Sequence, residues 1–184
     1  MQSTVISTFA AACVVWDLKN RTILRSVSIP GTVGTIDVKL IPHDHKGRAF
    51  TPGMLDDKLY LVDTQVGTAR VGFDFAGIAP GGWPQLMNVT RDSTQLFISM
   101  NQAGKVAMLD ISNPEQPKLI KTLELGEGSG PRYIALTKDE KRLVISDYFL
   151  NEDNFGKVHA EGDHKIHVAN VSKNEPRARF EVRA

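Results

Sequence analysis

Two histidines, His43 and His45, are separated by one residue and form the first candidate for metal chemistry in this sequence. In a β-strand, side chains two residues apart project from the same face, and neutral imidazole is a good ligand for copper or zinc. The alternative is a polar loop between strands, which the Lys-Gly-Arg segment at 46–48 continues. The sequence leaves both interpretations open.

A second group of potential ligands lies near the C-terminal end of the sequence. His164 and His167 are three residues apart, so in a strand they face opposite ways and can bind one metal ion only if His164 lies in a turn. The alternative is a solvated hairpin rich in acidic residues and histidine. A calcium ion held by Asp147 and Tyr148 together with the oxygen-bearing side chains of 151–154 is a further hypothesis, although the spacing lacks the EF-hand pattern and its glycine. The same group contains His159, Glu161 and Asp163.

Few other residues are candidates for catalysis. Cys13 is the only cysteine, so the chain has no intrachain disulfide, and we find no Cys–His arrangement and no Gly-x-Ser-x-Gly motif. The segments GGWP (81–84) and GSGP (128–131) resemble phosphate-binding loops only in composition, because neither is followed by Lys-Ser or Lys-Thr. Their equivalent positions indicate turns between repeated units.

A repeat of 46–47 residues organises the chain. The segments CVVWDL (13–18), LYLVDT (59–64) and VAMLDI (106–111) share a pattern, and their aspartates are 46 and 47 residues apart. The segment TRDSTQLFIS (90–99) recurs as TKDEKRLVIS (137–146), at an offset of 47. Two independent markers with the same period indicate one repeated structural unit.

Each unit is predicted to consist of about four short strands joined by turns. The polar segment TKDEKR (137–142) is typical of a tight hairpin, because aspartate side chains accept hydrogen bonds from nearby backbone amides. The segments LFIS (96–99) and LVIS (143–146) are short and apolar, as strands buried on both faces are. The residues that we expect to be buried are Leu96, Ile98, Leu143 and Ile145.

A period near 46 with about four strands per unit is typical of β-propellers. A β-sandwich also has many short strands, but it has no reason to repeat a hairpin sequence at a fixed period. The sequence therefore predicts an all-β fold, a β-propeller segment of about three to four four-stranded blades. The approximate blades are 1–35 (partial), 36–80, 81–127 and 128–184.

The chain is short for a closed propeller ring. Its 184 residues divided by 46 give four blades at most, and the first unit reaches Asp17 after a single predicted strand. An open stack of blades leaves two faces and two edges unpaired. We expect an incomplete ring that is completed by the missing blades of a longer parent or by a second copy in an edge-to-edge oligomer.

Composition excludes several classes of function. Hydrophobic residues make up 41% of the chain, which excludes a disordered or fibrous protein. The 22 Lys and Arg residues are scattered between 21 acidic residues, so we expect no nucleic acid as a partner. The apolar residues 5–15 lack a preceding positive charge and are too short for a transmembrane helix. We expect a soluble protein, with the cytoplasm favoured over the periplasm.

Several collinear segments resemble the selenium-binding protein family, whose members include methanethiol oxidases. They are VVWDLK (14–19), IDVKLIPH (36–43), LDISNPEQPKL (109–119) and GPRYIALTKDEKRL (130–143). The resemblance covers nearly the whole chain but only about the C-terminal two-fifths of a family member. It implies a seven-bladed parent ring that carries the copper-dependent oxidation of methanethiol to formaldehyde, hydrogen sulfide and hydrogen peroxide.

The chain departs from this family at residues that matter for chemistry. The family's reactive cysteine lies in a part that this chain lacks, and Cys13 does not correspond to it. A family histidine falls on Ala103, so only His43 matches the family's histidine pattern in place. The resemblance therefore implies copper as a possible cofactor, with His43 as its first ligand. The four candidate metal ligands are His43, His45, His164 and His167.

From the sequence we expect a scaffold or binding module that is not catalytic alone. The alternative is a part of a copper-dependent methanethiol oxidase that is assembled with missing blades. The larger aromatic residues are expected to pack between blades, because aromatic rings fill wide gaps between sheets. These residues are Trp16, Trp83, Tyr133 and Tyr148.

Overall fold

The computed structural model describes residues 4–9, 11–29, 31–32, 34–126, 128–148, 164–171 and 182–183. Within these ranges the regular secondary structure consists of β-strands, and the expected all-β class is confirmed. No helix in the described part of the chain is long and apolar enough to cross a membrane. The described strands form four antiparallel sheets, each built from strands that follow one another along the chain.

The strands of each sheet have the following bounds. The first sheet contains β1 (Thr4–Phe9), β2 (Ala12–Asp17) and β3 (Thr22–Ser28). The second contains β4 (Lys39–Leu40), β5 (Arg48–Gly53), β6 (Lys58–Asp63) and β7 (Thr68–Asp74). The third contains β8 (Pro84–Val89), β9 (Gln95–Met100), β10 (Lys105–Asp110) and β11 (Lys118–Glu124). The fourth contains β12 (Pro131–Leu136), β13 (Arg142–Asp147), β14 (Ile166–Asn170) and β15 (Val182–Arg183).

The repeated polar hairpin joins the first two strands of the third and fourth sheets. In the fourth sheet, Thr137 Oγ1 donates to Asp139 Oδ1 at 2.6 Å, and Asp139 Oδ1 also accepts the Lys141 amide at 3.1 Å. In the third sheet, Thr90 Oγ1 donates to Asp92 Oδ1, also at 2.6 Å. The aspartate thus holds the turn through local backbone and hydroxyl bonds, as the sequence predicts.

The second and third sheets pack face to face through apolar side chains. Leu59 and Leu61 of β6 lie in one buried cluster with Leu96 and Ile98 of β9. Because alternate residues of a strand point to opposite faces, Phe97 is directed away from this cluster. β9 therefore has apolar side chains on both of its faces, which is typical of a strand in the middle of a stack.

The third and fourth sheets pack in the same way. Phe97 and Val106 form a second buried cluster with Leu143 and Ile145 of β13. The first strands of the two sheets, β8 and β12, lie side by side. The predicted burial is thus confirmed, since four side chains have no exposed surface: Leu96, Ile98, Leu143 and Ile145.

The first sheet contributes a third apolar contact. Cys13 and Val27 of the first sheet pack against Tyr60 and Val62 of the second. Cys13 is fully buried in this cluster and forms no disulfide.

The order of the contacts gives every sheet two distinct faces. We call the face that packs on the following sheet the leading face; it carries Cys13, Leu59 and Val106. The opposite face, which packs on the preceding sheet, is the trailing face; it carries Tyr60 and Ala107 in the second and third sheets. In the fourth sheet, the leading face has no following sheet within the described residues.

Replacing Leu143 by alanine is expected to lower the free energy of unfolding by about 2–5 kcal/mol, because it leaves a cavity between the third and fourth sheets. Lys141→Ala, in the exposed turn two residues earlier, is the matched control and should change stability by less than about 0.5 kcal/mol. Urea denaturation followed by circular dichroism measures both. Equal losses from the two variants would contradict the register of this hairpin.

One of the four aromatic residues does not lie where the sequence places it. Trp16, Trp83 and Tyr148 are half-buried, and the Arg132 guanidinium lies 3.9 Å from the centre of the Tyr148 ring. Tyr133, in contrast, is 68% exposed. It lies on the leading face of the fourth sheet, where no described sheet covers it, so the expectation that it packs between blades is wrong within this chain.

Candidate functional site

His43 and His45 lie in the loop between β4 and β5, outside the strands. Two consecutive turns form this loop: the Asp44 amide donates to the Ile41 carbonyl at 3.3 Å, and the Gly47 amide donates to the Asp44 carbonyl at 2.9 Å. His43 has a positive φ of 58°, and both histidines are exposed. The polar-loop alternative is therefore the observed one, and metal binding by the two imidazoles stays a prediction.

The carboxylate of Asp44, between the two histidines, is bound to Arg48. Asp44 Oδ2 accepts the Arg48 amide at 2.8 Å and Nε at 3.0 Å, while Oδ1 accepts Nη2 at 2.9 Å. The side-chain hydrogen bonds from Arg48 hold the pKa of Asp44 below its usual range. A carboxyl group with a lowered folded-state pKa contributes stability above its unfolded pKa and loses it as the pH falls through the folded value. Asp44 therefore fixes the loop at neutral pH.

Arg48 also reaches the loop between β10 and β11 of the third sheet. Its Nη1 donates to Glu115 Oε1 at 2.5 Å. Arg70 of β7 donates to the Glu115 carbonyl oxygen at 3.0 Å and also to its carboxylate. The hydrogen bond from Arg70, followed by that from Arg48, lowers the pKa of Glu115. The two arginines thus tie the second sheet to the third.

A cavity of about 360 Å³ lies beside this loop, between the second and third sheets. Its wall combines an imidazole and a guanidinium with carboxylates, hydroxyls and two isoleucines, so it can hold a small polar molecule. Ser93 Oγ donates to the Pro42 carbonyl and joins the two sheets at the cavity wall. The lining residues used here are Ile41, His43, Arg48, Asp92, Ser93 and Ile111.

Polar side chains also bond across the junction of the second and third sheets. Asp37 Oδ2, just before β4, accepts the Met87 amide of β8 at 2.8 Å. Asp57 Oδ2 accepts the Gly81 amide at 2.5 Å. Gly81 has a positive φ of 66°, so the glycine of this crossover has a backbone role, as predicted for a turn between repeats.

The junction of the third and fourth sheets has the same kind of polar bonds. Ser99 Oγ of β9 donates to the Arg132 carbonyl of β12 at 2.8 Å. Glu140 Oε1, in the hairpin of the fourth sheet, accepts the Arg91 amide of the equivalent hairpin at 2.8 Å. Ser99 and Glu140 are both buried. Buried polar groups therefore serve as links from one sheet to the next.

A buried phenol lies at the other end of the second sheet. Tyr60 Oη donates to Asp56 Oδ2 at 2.5 Å, and Thr32 Oγ1 donates to Asp56 Oδ1 at 2.7 Å. Burial, together with the bond to Asp56, raises the pKa of Tyr60 to about 12. A Cβ atom on Gly53 would lie 2.0 Å from Asp56 Oδ1, so only glycine fits beside this cluster. The phenol stays neutral and acts as a hydrogen-bond donor.

The structure does not place His164 and His167 in equivalent environments. His164 precedes β14 and is exposed, whereas His167 lies within β14 and is buried. His167 Nε2 is 3.0 Å from Asp147 Oδ2, and the Asp147 side chain has no exposed surface. Asp147 Oδ1 has no hydrogen-bond partner among the described residues. Binding of one metal ion by both histidines stays a prediction.

Several residues of the predicted second cluster lie outside the described residues. They are the 151–154 segment of the calcium hypothesis and the acidic and histidine residues His159, Glu161 and Asp163. Of that hypothesis, Asp147 and Tyr148 are described: Asp147 lies 3.0 Å from His167, and the Tyr148 ring lies against the Arg132 guanidinium.

The pair of Asp147 and His167 is the buried polar feature that sequence reasoning missed. Asp147 follows Met100 by 47 residues, one repeat period. The registers Ile98↔Ala107 and Ile145↔His167 place His167 at the position of Ala107. Comparison of the repeats could have shown that Met100 and Ala107 of the third sheet are replaced by Asp147 and His167 in the fourth. The sequence between Asp147 and His167 is longer than in the other repeats, however, so His167 cannot be aligned with Ala107 from the sequence alone.

The described residues do not complete a copper site around the candidate ligands. No group of three or more His, Cys, Asp or Glu side chains in the described ranges could hold a metal ion. The carboxylate nearest in sequence to His43 and His45 is bound to Arg48. A catalytic metal site usually needs about three protein ligands. At these two histidines the described residues therefore supply no third His, Cys, Asp or Glu ligand for copper.

The chain is similar in sequence to one characterised enzyme. No protein family model matches the chain. The methanethiol oxidase of Hyphomicrobium sp. is 25% identical over 158 residues, which are 84% of this chain and 35% of that protein. The chain thus spans about a third of the length of this relative.

Solved structures show the same architecture. A hypothetical selenium-binding protein from Sulfolobus tokodaii has a TM-score of 0.71 at 14% identity, covering 95% of this chain and 46% of that one. The β-propeller domain of Cps50 (Swd1) from Myceliophteria thermophila has a TM-score of 0.67 at 14% identity, covering 97% and 53%. For virginiamycin B lyase from Staphylococcus aureus the TM-score is 0.64 at 14% identity, covering 94% and 48%.

The two kinds of similarity agree. The structures confirm that the stacked sheets are propeller blades, and the sequence match confirms the resemblance that the repeated segments predict. The chain is a β-propeller segment that is similar in sequence to the methanethiol oxidase of Hyphomicrobium sp..

Proposed function

We propose that this chain is a propeller segment that serves as a scaffold or binding module and is not catalytic alone. The observation that carries this proposal is the use of polar side chains between sheets. Arg48, Asp57, Ser99 and Glu140 each bond to a residue of the neighbouring sheet or of the crossover to it. Side chains committed in this way stabilise the stack and are not free for acid–base chemistry.

The repeated aspartate supports the same proposal. Asp63 Oδ1 accepts the amides of Gln65 at 2.9 Å and Val66 at 2.8 Å. Asp17 and Asp110 accept amides two residues ahead in the same manner, at 2.9 and 2.8 Å. The aspartates that mark each repeat therefore form turns, which is a structural role.

Our alternative function is a part of a copper-dependent methanethiol oxidase. It is supported by the sequence match to the methanethiol oxidase and by the exposed imidazole of His43, which lines a cavity of about 360 Å³. Copper, when bound, would supply the redox chemistry. Among the residues of this chain, His43 and His45 would hold the metal, and Asp44 with Arg48 would position the loop that carries them.

A turnover assay on the purified 184-residue chain separates the two functions. The chain is supplied with one equivalent of copper and with methanethiol in air, and formaldehyde, sulfide and peroxide are measured. A scaffold produces none of the three above the rate of a heat-denatured sample. Stoichiometric copper with formation of all three products would contradict the proposed function and establish the alternative.

If copper binds, His43→Ala is expected to abolish binding, because His43 matches the family position and His45 can supply only a second nitrogen. The measurement is a copper titration followed by calorimetry. His164→Ala is the comparison at the second candidate site, since His164 is also exposed but lies beside β14 in another sheet, and its loss is expected to matter less than that of His43. Unchanged affinity in His43→Ala would remove this residue from the site.

A further inference from the structure

Both ends of the stack expose apolar residues at positions that are buried inside it. Ile166 in β14 is 70% exposed and Tyr133 in β12 is 68% exposed, and both lie on the leading face of the fourth sheet. Val106, at the position of Ile166 in the third sheet, has no exposed surface. The fourth sheet therefore has a leading face of the kind that receives another sheet.

The first sheet has the complementary face. Its leading face, with Cys13, packs on the second sheet, so the alternate residues of β2 belong to its trailing face. Val14 and Trp16 on this face are half-buried, and Ile23, which pairs with Trp16, is 56% exposed. In the second sheet the corresponding residues Tyr60 and Val62 are buried against the first sheet.

The first and fourth sheets do not pack on each other within the described residues of one chain. The chain covers 53% of one solved propeller domain and 46% of the chain of the selenium-binding protein. Two copies therefore supply about as much chain as one complete propeller. The trailing face of the first sheet of a second copy can cover the exposed leading face of the fourth sheet. In the same way, the leading face of the fourth sheet of the second copy can cover the trailing face of the first sheet.

We infer that two copies of this chain associate head to tail. The leading face of the fourth sheet of each copy packs on the trailing face of the first sheet of the other, and the pair closes one ring. The contact repeats the packing that already joins the four sheets of one chain. This inference specifies the binding partner within the proposed function and rests on it.

The mass of the 184-residue chain in solution tests the inference. We expect sedimentation velocity to give a dimer, twice the 20.3 kDa of one chain. Ile166→Glu places a charge in the leading-face contact and should raise the dissociation constant about 30-fold or more. Ile23→Glu should do the same from the trailing face. Val66→Glu is the control, because Val66 is 69% exposed in the turn between β6 and β7 and should leave the dimer intact.

A mixture of Ile166→Glu and Ile23→Glu chains gives the sharpest result. In a mixed dimer, the unaltered leading face of the Ile23→Glu chain can pack on the unaltered trailing face of the Ile166→Glu chain. Dimers should therefore reappear in the mixture, although each variant alone is monomeric. A dimeric Ile23→Glu chain would indicate pairing between two fourth sheets and overturn the inference. A monomeric wild type, or a mass that grows beyond the dimer with concentration, would also overturn it.

The outcome for the proposed function is separate from this result. A monomer that does not oxidise methanethiol overturns the head-to-tail dimer and leaves the scaffold function standing, with blades of a longer parent as the occupant of these faces. A dimer that oxidises methanethiol supports the contact and contradicts the scaffold function.

Discussion

Replacing His167 by alanine is expected to lower the free energy of unfolding by about 1–3 kcal/mol, the range for leaving a buried polar group without its hydrogen-bond partner. Asp147 has no exposed side-chain surface, and His167 Nε2 at 3.0 Å is the partner of its Oδ2. Without the imidazole, the described residues offer this carboxylate no side-chain partner. Chemical denaturation at pH 7 measures the loss.

The third sheet provides the control for this prediction. At the equivalent positions it carries Met100 and Ala107, which are both fully buried in an apolar cluster. The double variant Asp147→Met/His167→Ala transfers this apolar pair to the fourth sheet. It should recover the stability lost in the single variant, because replacing both partners of a buried hydrogen bond by apolar groups is close to neutral or stabilising. A double variant as unstable as the single one would show that the loss comes from packing and not from the unpartnered carboxyl group.

The sequence predicts the fold well because the repeat constrains several levels of structure together. The same period appears in the hairpin aspartates Asp92 and Asp139 and in the strands that follow them. Both aspartates bond to the threonine two residues earlier, and the four side chains expected to be buried in these strands, Leu96, Ile98, Leu143 and Ile145, have no exposed surface. When the turn residues and the apolar pattern of two repeats both indicate the same hairpin, few other folds are compatible with the sequence.

The candidate site was less predictable, because its partners come from distant parts of the chain. The bond from Arg48 to Glu115 spans 67 residues, and nothing in the spacing of the two residues predicts it. The spacing of His43 and His45 fits a strand as well as a loop, and the loop is set by turn bonds of Asp44 that the sequence does not specify. Contacts between sheets decide such side-chain positions, and the sequence pattern of a single blade does not contain them.

Phe97→Ala is expected to lower the free energy of unfolding by about 3–5 kcal/mol, the range for truncating a buried phenylalanine. Phe97 has no exposed surface and lies between the third and fourth sheets, in one cluster with Leu143 and Ile145. Its removal leaves a cavity that two hydrogen-bonded sheets cannot easily close. The measurement is chemical denaturation, made on chains that also carry Ile166→Glu so that association does not add to stability.

Val144→Ala is the matched control, because Val144 follows Phe97 by 47 residues and occupies the same place in the next blade. Val144 is only half-buried, since its face of the fourth sheet has no following sheet within the described residues. In the Ile166→Glu background its truncation should cost less than about 1.5 kcal/mol, because partly exposed methyl groups lose little on removal. Similar losses at the two positions would mean that the leading face of the fourth sheet is covered within one chain. They would contradict both the uncovered face and the head-to-tail contact built on it.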